Sequence, residues 1–416
     1  MAAETQPVRG MRDFLPEQQI FREQAIEKIK RVFEKYGFMP MQTPALENSY
    51  TLGKKYGEEE KLIFRMKFGD EELGLKYDQT VPTARVYAGN PQLGKPFKRY
   101  VIDRAWRGER PQAGRLREFL QCDVDTLGTK SVMADAEIIA CLDEAIKVLG
   151  VKKVTWRINT RKLVSNFLKS CGVADVKQQF AMRAMDKIDK IGPDAATKEM
   201  IEKGVGETAA GTCMALLKTK GDLSKIKKSI LIEPAVEKEL DELIKYLKKF
   251  GVKNFTFDAS LVRGLDYYTG TIFEAFSPEI KGSIAGGGRY DHLVELFSKV
   301  EIPATGGSVG LDRILEFLAT KRMKTLVKVF VIPIAGVNAI PVVQQLRKAG
   351  INADLDLMER GVGKNLEFTS KQEIPFAILL GPEELKKKKV KLRDMKTGKE
   401  QLLTIKQAID KLNKIF

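Results

Sequence analysis

"PFKRYVIDRAWRGERPQAGRLREFLQCDVDTLG", residues 96–128, decides how the rest of the chain is read. Two runs suited to strands flank a polar centre, and "RPQAG" supplies turn residues, so the stretch predicts strand, loop, strand. Arg104, Arg107, Arg110, Arg115 and Arg117 crowd this hairpin, and Phe119 closes it. A solvated hairpin laced with salt bridges has that composition. So does a nucleotide site: guanidinium forks match phosphate, and an aromatic ring can stack on a base. Arg107 and Glu109, two apart on a strand, would project to one face. On the returning strand Gln121, Asp123 and Asp125 share a face by the same rule. In "YDQTVP", residues 77–82, Asp78 and Thr80 would do likewise. These are either solvated strand faces or acceptors lining a cleft, ready for an ammonium and a second donor.

Outward from the hairpin, "FLPEQQIFREQAIEKIKRVFEKYGF" places Ile20, Phe21, Ile26, Ile29, Val32 and Phe33 at helical spacing, with Gly37 beyond the end. "MPMQTPALEN" follows as an extended, proline-restricted segment. "KLIFRMKFGDEELGLKYD" predicts a hairpin turning at Gly-Asp. Residues 131–149 form an amphipathic helix ending at Gly150, and "KKVTWRINT" begins another strand. From about 162 to 250 the segments are helical, an insertion in a mainly antiparallel domain. Strand patterns return at "NFTFDASLV" and "TIFEAFS". "GGGRYDHL", residues 286–293, reads as a flexible turn before a helix, and "ATGGSVGLDRILEFLATKR" as a strand feeding a helix. There Gly306, Gly307 and Gly310 precede Arg313, a packed turn or a close approach for phosphate. After about residue 326 strands and helices alternate, which implies a separate small α/β domain. Residues 327–416 hold 17 lysines and arginines against 10 acids.

At 416 residues the chain is long enough for two to four domains. A net charge of +16 and a pI near 9.4 fit a lysine-rich surface or a polyanionic partner. Cys122, Cys141, Cys171 and Cys213 form no CxxC pair, which argues against a zinc ribbon or a disulfide framework. His292 is the single histidine, so Ser-His-Asp hydrolysis and multi-histidine metal sites have at most one candidate member, and chemistry is expected to rest on arginines, carboxylates, phenols and a bound ion. No cluster of side chains suits direct metal ligation. With neither a signal-peptide core nor an apolar run of spanning length, the expectation is a cytoplasmic protein that engages no membrane.

The order of these pieces resembles the class II aminoacyl-tRNA synthetases, whose three motifs match "KYGFMPMQTPALE", "WRGERPQAGRLREF" and "GGSVGLDRI". "LVRGLDYYTG", with "YDQTVP" and "REFLQCDVD", narrows the resemblance to histidyl-tRNA synthetase, from "RGMRDFLP" at 9–16 to the last domain. The fold this implies is α+β: an antiparallel-sheet catalytic domain with a helical insertion, plus a C-terminal α/β anticodon-binding domain. The expected divisions are 1–161 and 253–325 for the catalytic domain, 162–252 for the insertion and 326–416 for the anticodon-binding domain.

Residue by residue, the resemblance implies that Asp78, Thr80 and Gln121 hold the α-ammonium of histidine, with Gln79 in the same binding set. Asp125 and Tyr268 read the imidazole, with Tyr267 adjacent. Arg107 and Arg263 grip the α-phosphate and the reacting carboxylate and, with Arg313, are the catalytic groups. Glu109, Arg115, Phe119 and Arg313 hold ATP, Phe119 by stacking on adenine. Gln112 lies near the acceptor end of the tRNA. Asp266 is read as structural, orienting the arginine, and His292 as a residue of the surface or of the layer just behind the site. Asp312 departs from the family by standing where glutamate is common. ATP is a substrate, with Mg2+ on its phosphates. The implied partners are tRNA(His), L-histidine and a second copy of the chain, with no DNA. A regulatory paralogue that assists ATP phosphoribosyltransferase, a prolyl- or threonyl-type synthetase and a generic RNA-binding protein are the alternatives. Arg107, Arg263 and Arg313 together weigh against the first, and the paired tyrosines against the second. The acid and phenol set weighs against the third.

Overall fold

The computed structural model describes residues 5–53, 56–112, 114–216, 220, 221, 223, 224, 227, 232–262, 267–318 and 323–416. The chain divides into two compact units, residues 25–319 with the first 13, and residues 320–416 with 14–24.

In the first unit the strands, in chain order, are β1 (Met39–Pro40), β2 (Leu46–Asn48), β3 (Arg65–Phe68), β4 (Glu71–Leu75), β5 (Phe97–Trp106) and β6 (Glu118–Leu127). They continue as β7 (Thr155–Thr160), β8 (Lys220–Gly221), β9 (Phe255–Asp258), β10 (Thr271–Ser277), β11 (Ile280–Arg289) and β12 (Ala304–Val309). Among the described residues nine of them make one sheet, ordered β1-β5-β6-β12-β11-β10-β7-β9-β8. Its centre, from β5 to β7, is antiparallel throughout. β2, β4 and β3 form a small separate sheet, and the β3–β4 hairpin turns at Gly69 and Asp70 as its sequence predicts.

The central sheet puts chemistry on one face and packing on the other. Helix Val132–Val148, expected from the amphipathic pattern at 131–149, starts where the Ser131 side chain accepts from the Met133 amide at 3.3 Å. It packs on β12, and a Cβ placed on Gly307 would lie 2.8 Å from Leu142 Cδ1. Val124, opposite Gly307 in the ladder, is fully buried on that side. Asp123 and Asp125 alternate with it and so face the other way.

Three local expectations give way to different structures. Residues 77–82 are a turn into helix Thr80–Ala88, because Asp78 Oδ1 accepts the Thr80 and Val81 amides at 3.0 Å and so starts a helix. The glycines of "GGGRYDHL" belong to β11 inside the sheet, where crowded neighbours leave no room for a Cβ at Gly287 and Gly288. Arg107 and Glu109 lie beyond the end of β5, although the Arg107 amide still reaches the Arg117 carbonyl at 2.9 Å.

Between β7 and β9 come helices Arg161–Ser170, Asp175–Asp186, Pro193–Glu202, Glu207–Leu216 and Pro234–Lys249. The last of these packs against Val132–Val148, and β8 pairs with β9.

The second unit follows its sequence closely. A five-stranded sheet, among the described residues, runs β14-β13-β15-β16-β17, with β13 (Val329–Pro333), β14 (Ala353–Leu355), β15 (Phe376–Leu380), β16 (Val390–Asp394) and β17 (Glu400–Leu403). β13 is parallel to β14 and β15, and β15 to β17 is an antiparallel meander. Alternation in "VFVI" splits the core: Val329 and Val331 pack with Leu346 and Leu412, while Phe330 and Ile332 face Leu366 and Phe368.

Candidate active site

Asp78 anchors one end of the chemical face. It is buried, and its Oδ1 accepts the Tyr56 hydroxyl at 3.1 Å as well as the two backbone amides. Oδ2 accepts the Tyr267 hydroxyl at 3.2 Å. Burial raises the Asp78 pKa, opposed by the Val81 amide, the nearby Arg107 guanidinium and the Tyr56 hydroxyl. With a single donor in this set, Oδ2 is the oxygen that can still take an ammonium.

Asp125 stands on β6, 1% exposed, with Arg99 Nη2 2.5 Å from its Oδ2 and the Tyr290 hydroxyl donating to Oδ1. Glycine makes the space: a Cβ on Gly306 would sit 1.9 Å from Asp125 Oδ1. A Cβ on Gly288 would sit 2.9 Å from Tyr268 Cδ1. Tyr267 packs edge-on against both Tyr268 and Tyr290, with ring centroids 5.0 and 5.8 Å apart. Burial lifts the Tyr268 phenol well above its ordinary pKa, and the charges of Asp78, Asp125 and Asp123 add to it. All the phenols here therefore stay protonated at neutral pH and can donate. Gln121 lies on the same strand face, and its buried Oε1 makes no hydrogen bond among the described residues.

Arg107 links this end to the hairpin. Its Nε donates to the Tyr77 carbonyl at 3.2 Å, and its guanidinium lies 4.4 Å from the Tyr77 ring centroid and 5.0 Å from that of Phe119. Burial works against its charge, but the Tyr77 phenol and the acids Glu59, Asp78 and Glu109 hold its pKa above the usual value. Glu109 pairs with Arg115, Nε to Oε2 at 2.9 Å. Arg313 Nη1 donates to the Ser283 carbonyl, and a Cβ on Gly114 would be 3.4 Å from Arg313 Cγ, so this arginine borders the hairpin loop. Asp312 Oδ2 accepts the Leu120 amide at 2.9 Å, tying helix Leu311–Phe317 to β6.

Of three further residues singled out in the sequence, one is tied to the protein itself and two are exposed. The Gln79 amide nitrogen donates to the Asp103 and Arg104 carbonyls at 3.3 and 2.9 Å, so it braces β5. Gln112 is exposed at a tight loop closed by reciprocal bonds with Arg115. His292 is 61% exposed, and its Nδ1 is 3.3 Å from Glu295. Arg263 and Asp266 lie outside the described residues.

Sequence reasoning passed over Tyr56, Arg99 and Tyr290. A charged residue with inward parity in "FKRYVID" is a signal that could have drawn out Arg99. Tyr290 was hidden by reading its glycines as a turn. Tyr56 precedes a short 3-10 segment, Gly57–Leu62, with no periodic pattern to mark it.

Comparison with known proteins adds a family. A model described as histidyl-tRNA synthetase matches residues 10–314, and one described as an anticodon binding domain matches 328–415. The histidine–tRNA ligase of Clostridium tetani is 38% identical over 424 aligned residues, covering 96% of each chain. That of Korarchaeum cryptofilum is 37% identical over 428, covering 98% of each. A crystal structure of histidyl-tRNA synthetase from Nostoc sp. PCC 7120 matches with a TM-score of 0.84 and 28% identity over the whole of both chains. An ATP phosphoribosyltransferase regulatory subunit/histidyl-tRNA synthetase from Bacillus halodurans matches at 0.77 with 22% identity, a likeness of fold alone.

Proposed function

The chain belongs to the histidyl-tRNA synthetase family, and from that premise we propose how the residues of its sheet face divide the work. It is a histidine–tRNA ligase of class II: it activates L-histidine with ATP to histidyl-adenylate and pyrophosphate, then transfers histidine to the 3′ end of tRNA(His). The single observation that carries the division of roles is the gathering of Asp78, Asp125, Tyr267 and Tyr268 beside Arg107.

Histidine lies with its ammonium at Asp78 Oδ2, Thr80 and Gln121, and with its imidazole toward Asp125 and Tyr268, Tyr267 closing the side. Gln79 acts in this set by bracing β5. A site that bonds both ring nitrogens leaves its own buried groups unpaired with an apolar rival, a discrimination of roughly 10⁴–10⁵-fold.

Adenylation is an in-line attack of the histidine carboxylate on the α-phosphorus, which needs alignment and charge neutralisation and no protein nucleophile. Arg107 sits where carboxylate and phosphate would meet, and the family pattern assigns Arg263 the same task. Arg313 takes the remaining phosphates. Phe119 stacks on adenine, with Glu109, oriented by Arg115, at its edge. Among the described residues no group of three His, Cys, Asp or Glu side chains could hold a metal. The Mg2+ of this proposal is carried on the ATP phosphates, where Glu109 and Glu316, the acids bordering Arg115 and Arg313, would help to hold it. When bound, the ion neutralises phosphate charge.

Gln112 is assigned to the tRNA acceptor end, and its exposure at the hairpin tip supports that reading. Residues 326–416 are taken as the anticodon-binding domain, 162–252 as the insertion, and 1–161 with 253–325 as the catalytic domain. A homodimer is supported by apolar side chains exposed on and around β1, β2 and β3, among them Met39, Tyr50 and Phe68. Among the described residues no helix is long and apolar enough to cross a membrane; a cytoplasmic location is part of the proposal.

Pyrophosphate exchange run separately with each of the twenty amino acids tests the histidine pocket. Histidine alone is expected to support exchange. Comparable exchange with any other amino acid would overturn the assignment of Asp125 and Tyr268.

A further inference from the structure

On the reading that Asp125 faces the imidazole, the geometry points to Arg99 and Asp123 as positioning residues. One buried guanidinium and one retained proton, shared between two neighbouring carboxylates, keep Asp125 a single fixed anion for the ring.

Arg99 is 0% exposed, Asp123 3% and Asp125 1%. The ladder sets Arg99 directly opposite Asp125, and Asp123 one step diagonal to it on the same face. With one arginine for two carboxylates, full ionisation would leave an unpaired negative charge buried, which a protein interior resists. One carboxyl must keep a proton. Asp125 receives Arg99 Nη2 at 2.5 Å and the Tyr290 hydroxyl, both favouring its charged form. Asp123 has the Arg99 charge only across the diagonal, together with a hydrogen bond from the Ser308 hydroxyl, and its Oδ1 makes no hydrogen bond among the described residues. The proton therefore belongs on Asp123.

Other charges do not displace this balance. On the same face Asp78 and the phenols of Tyr268 and Tyr290 surround the pair. On the opposite face helix Val132–Val148 brings Asp135, bonded to Arg289, and Cys141, which stands among Glu137, Lys98 and Glu144. Burial pushes Asp123 up to about 7, Arg99 opposing and Asp125 adding, so the shared proton leaves near neutral pH. Once it leaves, Arg99 must serve two anions, and Asp125 loses its exclusive partner.

The test is histidine-dependent pyrophosphate exchange by the full-length protein and its Asp123→Asn variant, from pH 6 to 9. In the wild type the KM for histidine is expected to rise above pH 7, by about tenfold, relative to the variant, while the KM for ATP stays level. Histidine's own titration is common to both proteins and cancels in their ratio. Arg99→Met should raise the histidine KM at every pH, and adding Asp123→Asn should restore part of it. A wild-type to variant ratio that does not change with pH, or no rescue in the double variant, overturns the inference.

Calorimetry on the wild type covers the case in which Asp123→Asn does not fold. Histidine binding at pH 8 should take up close to one proton, and binding without uptake counts against the shared proton. Asp125→Asn separates the two layers. If it leaves the histidine KM unchanged, the imidazole reading itself falls. If it raises that KM while the pH ratio stays flat, only the role of Arg99 and Asp123 falls.

Discussion

Across β5, β6 and β12 the first unit buries Arg99, Asp123 and Asp125 beside glycines, whereas β13 and β15 of the second unit bury Val331, Ile378 and Leu380 beside helices. Both are sheet interiors, yet one holds charges at real cost and the other gains from apolar burial. Charges kept in a core against that cost are expected to act on a ligand. An apolar alternation needs no such explanation. The second unit has one polar knot, where Asp356 accepts from the Met358 and Arg360 amides and from Asn365 Nδ2 at 3.0 Å. That knot shapes a loop and answers to local backbone needs.

The contrast breaks most visibly at Arg107. Arg107→Ala removes the guanidinium between Tyr77 and Phe119 and should lower the rate of pyrophosphate exchange by about 10²–10³-fold, the loss typical of one preorganised donor. Binding of tRNA should stay near normal, because the second unit is untouched. Near-normal exchange in a folded variant would remove Arg107 from the reacting centre.

Gly306→Ala acts on the glycine packed against Asp125, the residue proposed to face the imidazole. The added methyl would lie 1.9 Å from Asp125 Oδ1 and 2.8 Å from the Val124 carbonyl, so the carboxylate must move. The KM for histidine should rise by roughly 10–100-fold, the value of a lost charged hydrogen bond or two, with the KM for ATP little changed. Equal losses for both substrates would mean that the sheet, rather than the pocket, had been damaged.

How far the sequence alone discloses these two regions follows from the same difference. In the second unit, period-two runs such as "VFVI" and "FAILL" bury both faces under helices, so strands and order can be read directly. The fold of the first unit is readable at β3–β4, β5–β6 and β10 for similar reasons. Its site is readable only through motif resemblance, because Asp78, Asp125, Tyr268 and Gly306 meet across long sequence separations that no local period encodes. "YDQTVP" misled by apparent alternation, since a carboxylate capping a helix and a polar strand face share that text. "GGGRYDHL" misled because glycines in a strand, present for close approach to the neighbouring strand at Gly306 and Gly307 and to Tyr268, look like a turn.

Removing residues 326–416 sharpens the division between the units. Charging of tRNA should fall at least about tenfold more than pyrophosphate exchange, because the basic surface and anticodon contacts go while the histidine pocket remains. Equal loss of both activities in a folded truncation would instead give the second unit a structural role in activation.

The smallest expected effect lies at Thr404, whose side chain accepts the Gln407 amide at 3.3 Å while Gln407 Oε1 accepts the Thr404 amide at 3.0 Å. This capping box starts helix Ile405–Asn413, which buries Ala408 and Leu412 in the core of the second unit. Thr404→Ala leaves the Gln407 amide without its acceptor and should cost about 1 kcal/mol, seen as an earlier thermal transition of that unit. Pyrophosphate exchange at 25 °C should be unchanged, since the cap's hydrogen bonds lie wholly within the second unit. A fall in exchange that tracks the loss of stability would mean that the two interiors are energetically one, and the contrast drawn between them would fail.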